Sequence, residues 1–486
     1  MPVQDRAREA GAERRPVEPI WVGYARLSPL KGAQVTYLRM LAVMILSALA
    51  LSATAASGQE PPPTTQFEDS AGATWTGHSQ ELEFLEAVDA QSERVEIEVI
   101  GETALGRPLH LVKIGDPAPR TREDLAESNE PVVLFACTVH GNEPAGREAC
   151  LRWLRDLAFT TDPTLVQQLR EQTILFIPTA NPDGRAANTR GNSRGTDINR
   201  DHLNLQTEEA QAMARVVRDW QPDAAVDLHE YGPSLPAVYD DELLYLWPRN
   251  KNVDSMVRWA AKTLAEDYVA EGVEGSGYRA GEYGVAAFGD DVTGQDYHFT
   301  QTAGDEDEGI ARNGWALKHS ASILLETAVT QDPRNGPDEL TTAGLQSRRV
   351  NAHYEAVRHT LRFMRELGPA SMSINDLAGD RKAREGAEGS APVYFDGQDQ
   401  DYTIDGSGQA ESTVVADPPP CGYSLTQAQV DSVAETAALH GTAIHMFPDG
   451  SGFVSMAQRT EPLIPLLLDT RGVRNQVSGT PLTNCG

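Results

Sequence analysis

The sequence predicts an α/β fold, a mixed and largely parallel sheet flanked by helices. Three observations carry this. Short continuous apolar runs recur, at 131–138 (PVVLFACT), 173–178 (TILFIP), 224–228 and 322–325. A run with no polar alternation belongs to a strand buried on both faces. Segments of helical spacing lie between these runs, and strands alternating with helices build a parallel sheet.

The elements follow in order. Val95 to Ile100 and Leu109 to Ile114 flank Gly101 and Gly106-Arg107-Pro108, which predicts a hairpin. A buried strand at 131–138 leads to a helix over 146–157, and a second strand follows at 173–178. Helical spacing returns at 208–220 and is followed by a strand at 224–228. A helix over 253–268, a strand at 322–325 and a long amphipathic helix over 345–367 complete this part. From 368 to about 420 the composition shifts to Gly, Asp, Ser and Pro, ending in Pro418-Pro419-Pro420, and reads as a linker. A compact tail follows, with an apolar run at 463–468.

The chain has 486 residues, of which 40% are hydrophobic, so it is globular and long enough for a main core with an appendage. Its formal net charge is −30. So acidic a surface repels nucleic acid and anionic lipid, and neither is an expected partner. Leu41 to Leu51 is an apolar run with Lys31 and Arg39 before it and small residues, Ala53-Thr54-Ala55-Ala56-Ser57, after it. That order is a secretory signal peptide with cleavage near Ala55, and the run is too short for a stable membrane anchor. The expected location is secreted or periplasmic. Cys421 and Cys485 bracket the tail and are expected to form a disulfide, whereas Cys137 and Cys150 read as buried free thiols.

Four clusters carry chemistry. His140-Gly141-Asn142-Glu143 opens directly after a buried strand, where α/β folds place their sites. An imidazole and a carboxylate three residues apart can converge on one cation, and zinc accepts such ligands. Asn181-Pro182-Asp183-Gly184-Arg185, a turn by composition, leads into a loop holding Arg190, Asp197, Asn199 and Arg200. Arginine with asparagine beside it suits a carboxylate. Asp227-Leu228-His229 ends another strand and offers a third ligand, leaving a fourth position for water. Leu324-Leu325-Glu326-Thr327 puts a carboxylate at the end of a buried strand, where charge is rare without a role or a partner. Each cluster has a plainer reading as well: a capping Glu, a turn, solvated arginines, a core histidine, a structural ion pair.

Taken in this order, the clusters resemble the zinc carboxypeptidases of the carboxypeptidase A/B type over roughly residues 75–370. The resemblance implies Zn2+ held by His140, Glu143 and His229. It implies Glu326 as general base and Arg190 as the residue that polarises the scissile carbonyl, with Arg185 or Arg194 as substitutes. It implies Asn199 and Arg200 as the grip on the free C-terminal carboxylate of a peptide substrate, murein peptides included. Asp197 would orient the first zinc histidine. The substrate-covering tyrosine stays open among Tyr278, Tyr283 and Tyr297. The acidic run Asp305 to Glu308 reads as a solvated loop that could favour basic substrates. The expected organisation is a leader and signal peptide (1–57), a lead-in (58–74), a catalytic domain (75–370), a linker (371–420) and a small C-terminal domain (421–486). Two other readings share the motifs. A zinc amidohydrolase of the succinylglutamate desuccinylase or aspartoacylase type has the same opening, and a non-catalytic binding module would be expected to lose ligands or the base.

Overall fold

The computed structural model describes residues 61–119, 121, 123–126, 130–232, 241–283, 285–288, 297–300, 306–330, 341–397 and 412–485. Residues 1–57, expected to be a leader and signal peptide, lie outside them. Among the described residues no helix is long and apolar enough to cross a membrane.

After a short helical turn at Gln66–Asp69 comes helix α1 (His78–Gln91), and β1 (Val95–Glu102) and β2 (Pro108–Ile114) then form the expected hairpin, with Val95 opposite Ile114. The apolar runs become β3 (Val132–Cys137) and β4 (Thr173–Ile177), with α2 (Ala145–Ala158) between them. Then come α3 (Glu208–Trp220), β5 (Ala224–Tyr231), β6 (Leu243–Leu246), α4 (Ser255–Thr263), β7 (Ala280–Glu282), α5 (Ala311–Ala316) and β8 (Ala321–Ala328). Helix α4 runs on through a π-helical turn, Leu264–Ala270. The sheet order is β1-β2-β4-β3-β5-β8-β6-β7. Its centre, β4-β3-β5-β8, is parallel, while the hairpin edge and the β8-β6 pair are antiparallel.

Every residue of β3 and of β4 is buried, as runs without alternation require. One face of the sheet packs Phe135, Phe176, Val226 and Leu228 against α1, α2 and α4. The other packs Leu134, Leu175 and Ala225 against Met213 and Val217 of α3 and Trp315 of α5. Each such Val, Leu, Phe or Met side chain stabilises the fold by roughly 1.5–3 kcal/mol through removal from water.

Two expectations are corrected here. The long helix does not stop at 367: α6 spans Thr342–Glu388, through Pro369, so residues 371–388 are helix rather than linker. Thr341 caps its start by accepting from Gly344 N, and Gly389 ends it at φ +60°. Contacts carry the helix past Pro369: Val357, Leu361 and Met364 enter the main core, while Ala378 packs with the tail. The second correction concerns Cys137 on β3 and Cys150 on α2, which are paired with each other. Cys421 and Cys485 are joined as expected.

The tail folds as β9 (Gly422–Leu425), α7 (Gln427–His440), β10 (His445–Met446), β11 (Gly452–Ser455), α8 (Ile464–Leu468) and β12 (Thr480–Leu482). Its apolar residues Val433, Val454, Ile464 and Leu467 share one cluster with Leu203, Val257, Ala316 and Leu317. Residues from Pro62 onward form a single compact unit.

Candidate functional site

The site forms at the carboxyl ends of β3, β5 and β8, where adjacent parallel strands bring distant residues within about 5 Å of one another. Strand β3 ends at Cys137, and Thr138 turns the chain at φ +54° into the loop carrying His140 and Glu143. A β-branched residue in that region is uncommon and strained. The Thr138 hydroxyl donates to Glu143 O at 3.2 Å, which ties the loop back on itself. Gly141 has no room for a side chain, because a Cβ there would lie 2.0 Å from the Gly184 carbonyl carbon.

That contact explains the Asn181 turn. Asn181 Oδ1 accepts from Gly184 N at 2.8 Å and caps a short helix, Pro182–Ala187. Its Nδ2 donates to Val139 O and Arg190 O, at 3.2 Å each. One buried carboxamide therefore joins the His140 loop to the Arg190 loop.

Among the described residues, His140, Glu143 and His229 form the one group of His, Cys, Asp or Glu side chains able to hold a metal ion. All three are buried. His140 Nδ1 lies 3.0 Å from Glu143 Oε1, and His229 Nδ1 lies 2.8 Å from Glu143 Oε2. The two Nδ1 atoms are 3.0 Å apart. The far nitrogens are held by carboxylates: His140 Nε2 by Asp197 Oδ1 at 3.0 Å, His229 Nε2 by Asp227 Oδ2 at 2.7 Å. With each Nε2–H donating outward, two Nδ1 lone pairs and a carboxylate face one another. A cation resolves that repulsion, and two imidazoles with one carboxylate is a zinc donor set that leaves a position open. The residues present fit zinc.

The electrostatics agree. Burial works to raise the Glu143 carboxyl, but hydrogen bonds and charge from His140 and His229 outweigh it and hold the group well below the usual carboxylate range. Burial likewise opposes ionisation of Asp197, yet His140, Arg190 and Arg200 hold it low. His229 is pushed well above its ordinary value, because Asp227 and Glu143 outweigh its burial.

Glu326 lies beside this group. It pairs in register with His229 across β8 and β5, so both side chains project from the same face. It is half-buried and makes no hydrogen bond among the described residues. Burial raises its carboxyl to about 7, with His229 pulling the value down and Glu143 pushing it up.

Arg190 reaches the centre. Its Nη1 is 3.1 Å from His140 Nδ1, while Nε and Nη2 bond Asp197 Oδ2 at 3.1 and 3.0 Å. The alternatives are engaged elsewhere: Arg194 with Glu208, and Arg185 with Gly141 O at 3.1 Å. Arg200 is partly exposed, and its Nη1 donates to Asn199 O at 2.7 Å.

Asn199 departs from its expected place on a substrate carboxylate. It is buried, Nδ2 donates to Asp227 Oδ2 at 2.9 Å, and Oδ1 accepts from Ala311 N at 2.8 Å. Both ends of the carboxamide are used inside the protein, so Asn199 steadies Asp227 and through it His229. Asp227 itself was missed. Strand alternation holds the signal, since residues two apart share a face. Glu230 points the other way, accepting from Ala145 N at 2.8 Å and pairing with Arg349 at 2.9 Å, and thereby pins the start of α2.

Tyr278 lies under the Arg348 guanidinium, 4.7 Å from ring centre, and the Tyr297 side chain is outside the described residues. Of the acidic run, Asp305 is outside as well. Asp307 is paired and Glu308 is buried, which corrects the solvated loop.

Residues 81–328 match the zinc carboxypeptidase family. Carboxypeptidase 2 of Trichophyton tonsurans is 29% identical over 195 residues, which are 39% of this chain and 35% of that protein. Carboxypeptidase E of Caenorhabditis elegans is 33% identical over 127 residues, 22% of this chain and 25% of that one. The chain thus spans about a third or less of these relatives. A metallo-carboxypeptidase from Burkholderia cenocepacia superposes with a TM-score of 0.44 at 18% identity, covering 59% of this chain and 70% of the other.

Proposed function

Since this chain belongs to the zinc carboxypeptidase family, we propose that it is an exported metallocarboxypeptidase that removes C-terminal residues from peptides, cell-wall peptides among them. The observation that carries the reading is the meeting of His140, Glu143 and His229 beside Glu326.

Zinc bound there would make water more acidic and draw charge from the scissile carbonyl. The chain's own residues do the rest. Glu326, with no hydrogen bond to hold it, is free to take the proton of the attacking water and pass it to the leaving amine. Arg190 sets a guanidinium where negative charge develops on the carbonyl oxygen. Asp197 and Asp227 fix the tautomers of the two histidines. Arg200 presents a cation to the substrate's terminal carboxylate.

The test compares one peptide with a free and with an amidated C-terminus. Amidation removes the charge Arg200 would meet, and losing a charged partner costs on the order of two decades in kcat/KM. Equal cleavage of both would mark an endopeptidase or a side-chain amidase, and turnover of N-acyl amino acids alone would mark the amidohydrolase. Export rests on the apolar run 41–51. Sequencing the mature N-terminus from the native host should place the first residue near Ala56, and an intact run on a cytosolic protein would overturn it.

A further inference from the structure

The C-terminal tail meets the backbone of Arg200 at Arg474. Arg474 lies after α8, 274 positions from Arg200 and beyond the family-matched residues. Its Nε and Nη2 pair with Asp307 Oδ1 and Oδ2 at 2.6 and 2.5 Å, a bidentate fork. Its Nη1 donates to the backbone carbonyl of Arg200 at 3.1 Å.

Asp307 is close enough to matter to Arg200. Its Oδ2 is 3.9 Å from Arg200 Nε, within ion-pair range but short of a hydrogen bond. The two loops are pressed together: a Cβ on Gly309 would lie 2.6 Å from Arg200 O, and His202 N donates to Gly309 O at 3.0 Å. A carboxylate held this near a substrate-binding guanidinium competes with the substrate's own carboxylate. Arg474 occupies both Asp307 oxygens and so blunts that competition. The same side chain anchors the backbone from which Arg200 projects.

We propose that Arg474 is a positioning residue for recognition of the substrate's terminal carboxylate, and that the C-terminal tail is thereby a working part of the active site. This rests on the reading of Arg200 as the carboxylate anchor. Arg474 touches neither the metal ligands nor Glu326 in any contact described above, so its effect belongs on binding rather than on the chemical step. Asp307 is the counterpart: with Arg474 gone, its charge is released toward Arg200.

The experiment uses the full-length, zinc-loaded enzyme and matched peptides with free and amidated C-termini. Arg474→Ala should raise KM for the free peptide about tenfold or more, the loss expected of a charge-assisted contact, with kcat within a few-fold and zinc content unchanged. The amidated peptide should be handled as by the wild type. Arg474→Lys, which keeps the charge without the fork, should fall between and serves if the alanine variant does not fold. Adding Asp307→Asn to Arg474→Ala should restore part of the KM, because the competitor is neutralised. An unmoved KM in both Arg474 variants would overturn the proposal. So would equal loss on free and amidated peptides, since that is what a merely structural role predicts. A wild type indifferent to amidation would remove the Arg200 reading and this proposal together, whereas a discriminating wild type with unaffected variants would remove this proposal alone.

Discussion

At the residue scale, each side chain of the centre has a distinct expected signature. The Glu326 side chain meets no hydrogen-bonding partner among the described residues, whereas Asp227 Oδ2 is engaged by both His229 and Asn199. Replacing each carboxylate by its amide therefore separates two functions. Glu326→Gln should fold and bind zinc normally and lose roughly two to four decades of kcat, because only the proton transfer is removed. Asp227→Asn should instead weaken zinc affinity by roughly 10–100-fold, since His229 loses the acceptor that fixes its tautomer. Chelator competition and turnover at saturating zinc distinguish the two. A Glu326→Gln enzyme with near-normal kcat, or an Asp227→Asn enzyme with undiminished affinity, would refute the corresponding role.

At the element scale, α6 is the instructive case. A proline inside a helix removes a backbone hydrogen bond and crowds the carbonyl four residues back, at a cost of about 3 kcal/mol. Pro369 sits in the interior of this helix nonetheless. The helix is held by burial before and after it, through Leu361, Phe363 and Met364 on one side and Ala378 on the other. The close approach of Gly368 to Pro131, where an added Cβ would lie 2.9 Å from Cγ, fixes the helix against the start of β3. Pro369→Ala should therefore stabilise the protein by about 2 kcal/mol, the helical gain less the greater freedom of the unfolded chain. A higher urea midpoint at unchanged m-value would support this, and a lower one would show that the proline is needed where it stands.

At the scale of the whole molecule, the tail and the catalytic core enclose a hollow of about 210 Å³ lined by Arg218, Lys318, Ser320, His440 and Arg459. Ser320 Oγ and His440 Nδ1 have no hydrogen-bond partner among the described residues. Burial, with Arg218 nearby, pushes the Lys318 ammonium down to about 7. The unfolded chain keeps its lysine near the ordinary value, so between about pH 7 and 10.5 it binds more protons than the folded one. The penalty from this group is full at and below pH 7 and vanishes as pH rises toward 10.5. Lys318→Met should accordingly raise stability most near pH 7 and progressively less by pH 9.5. Parallel denaturation curves at the two pH values check this, and an equal gain at both would exclude Lys318 as the source.

The central strands, the hairpin and the placing of His140, Glu143, His229 and Glu326 at or near strand ends are legible in the amino acids alone. Those are local properties. A strand buried on both faces must be continuously apolar, so a charged or ligating residue at its end stands out without reference to any distant partner. Boundaries shifted, since β5 runs on to Tyr231 and β8 to Ala328, which puts His229 and Glu326 within strands and in register. The remaining features depend on contacts between distant parts of the chain. Asn199 turned inward because Asp227 and the Ala311 amide lie within its reach, 28 and 112 positions away. Residues 371–388 stay helical past Pro369 because Ala378 finds a core in the tail, and their Ala, Arg, Lys and Glu suit a helix, unlike the Gly- and Asp-rich sequence that follows them. Arg474 met Arg200 across 274 positions. In each case the deciding energy comes from a partner that no local window contains, so chain closure and packing, rather than propensity or spacing, settle where such a side chain points.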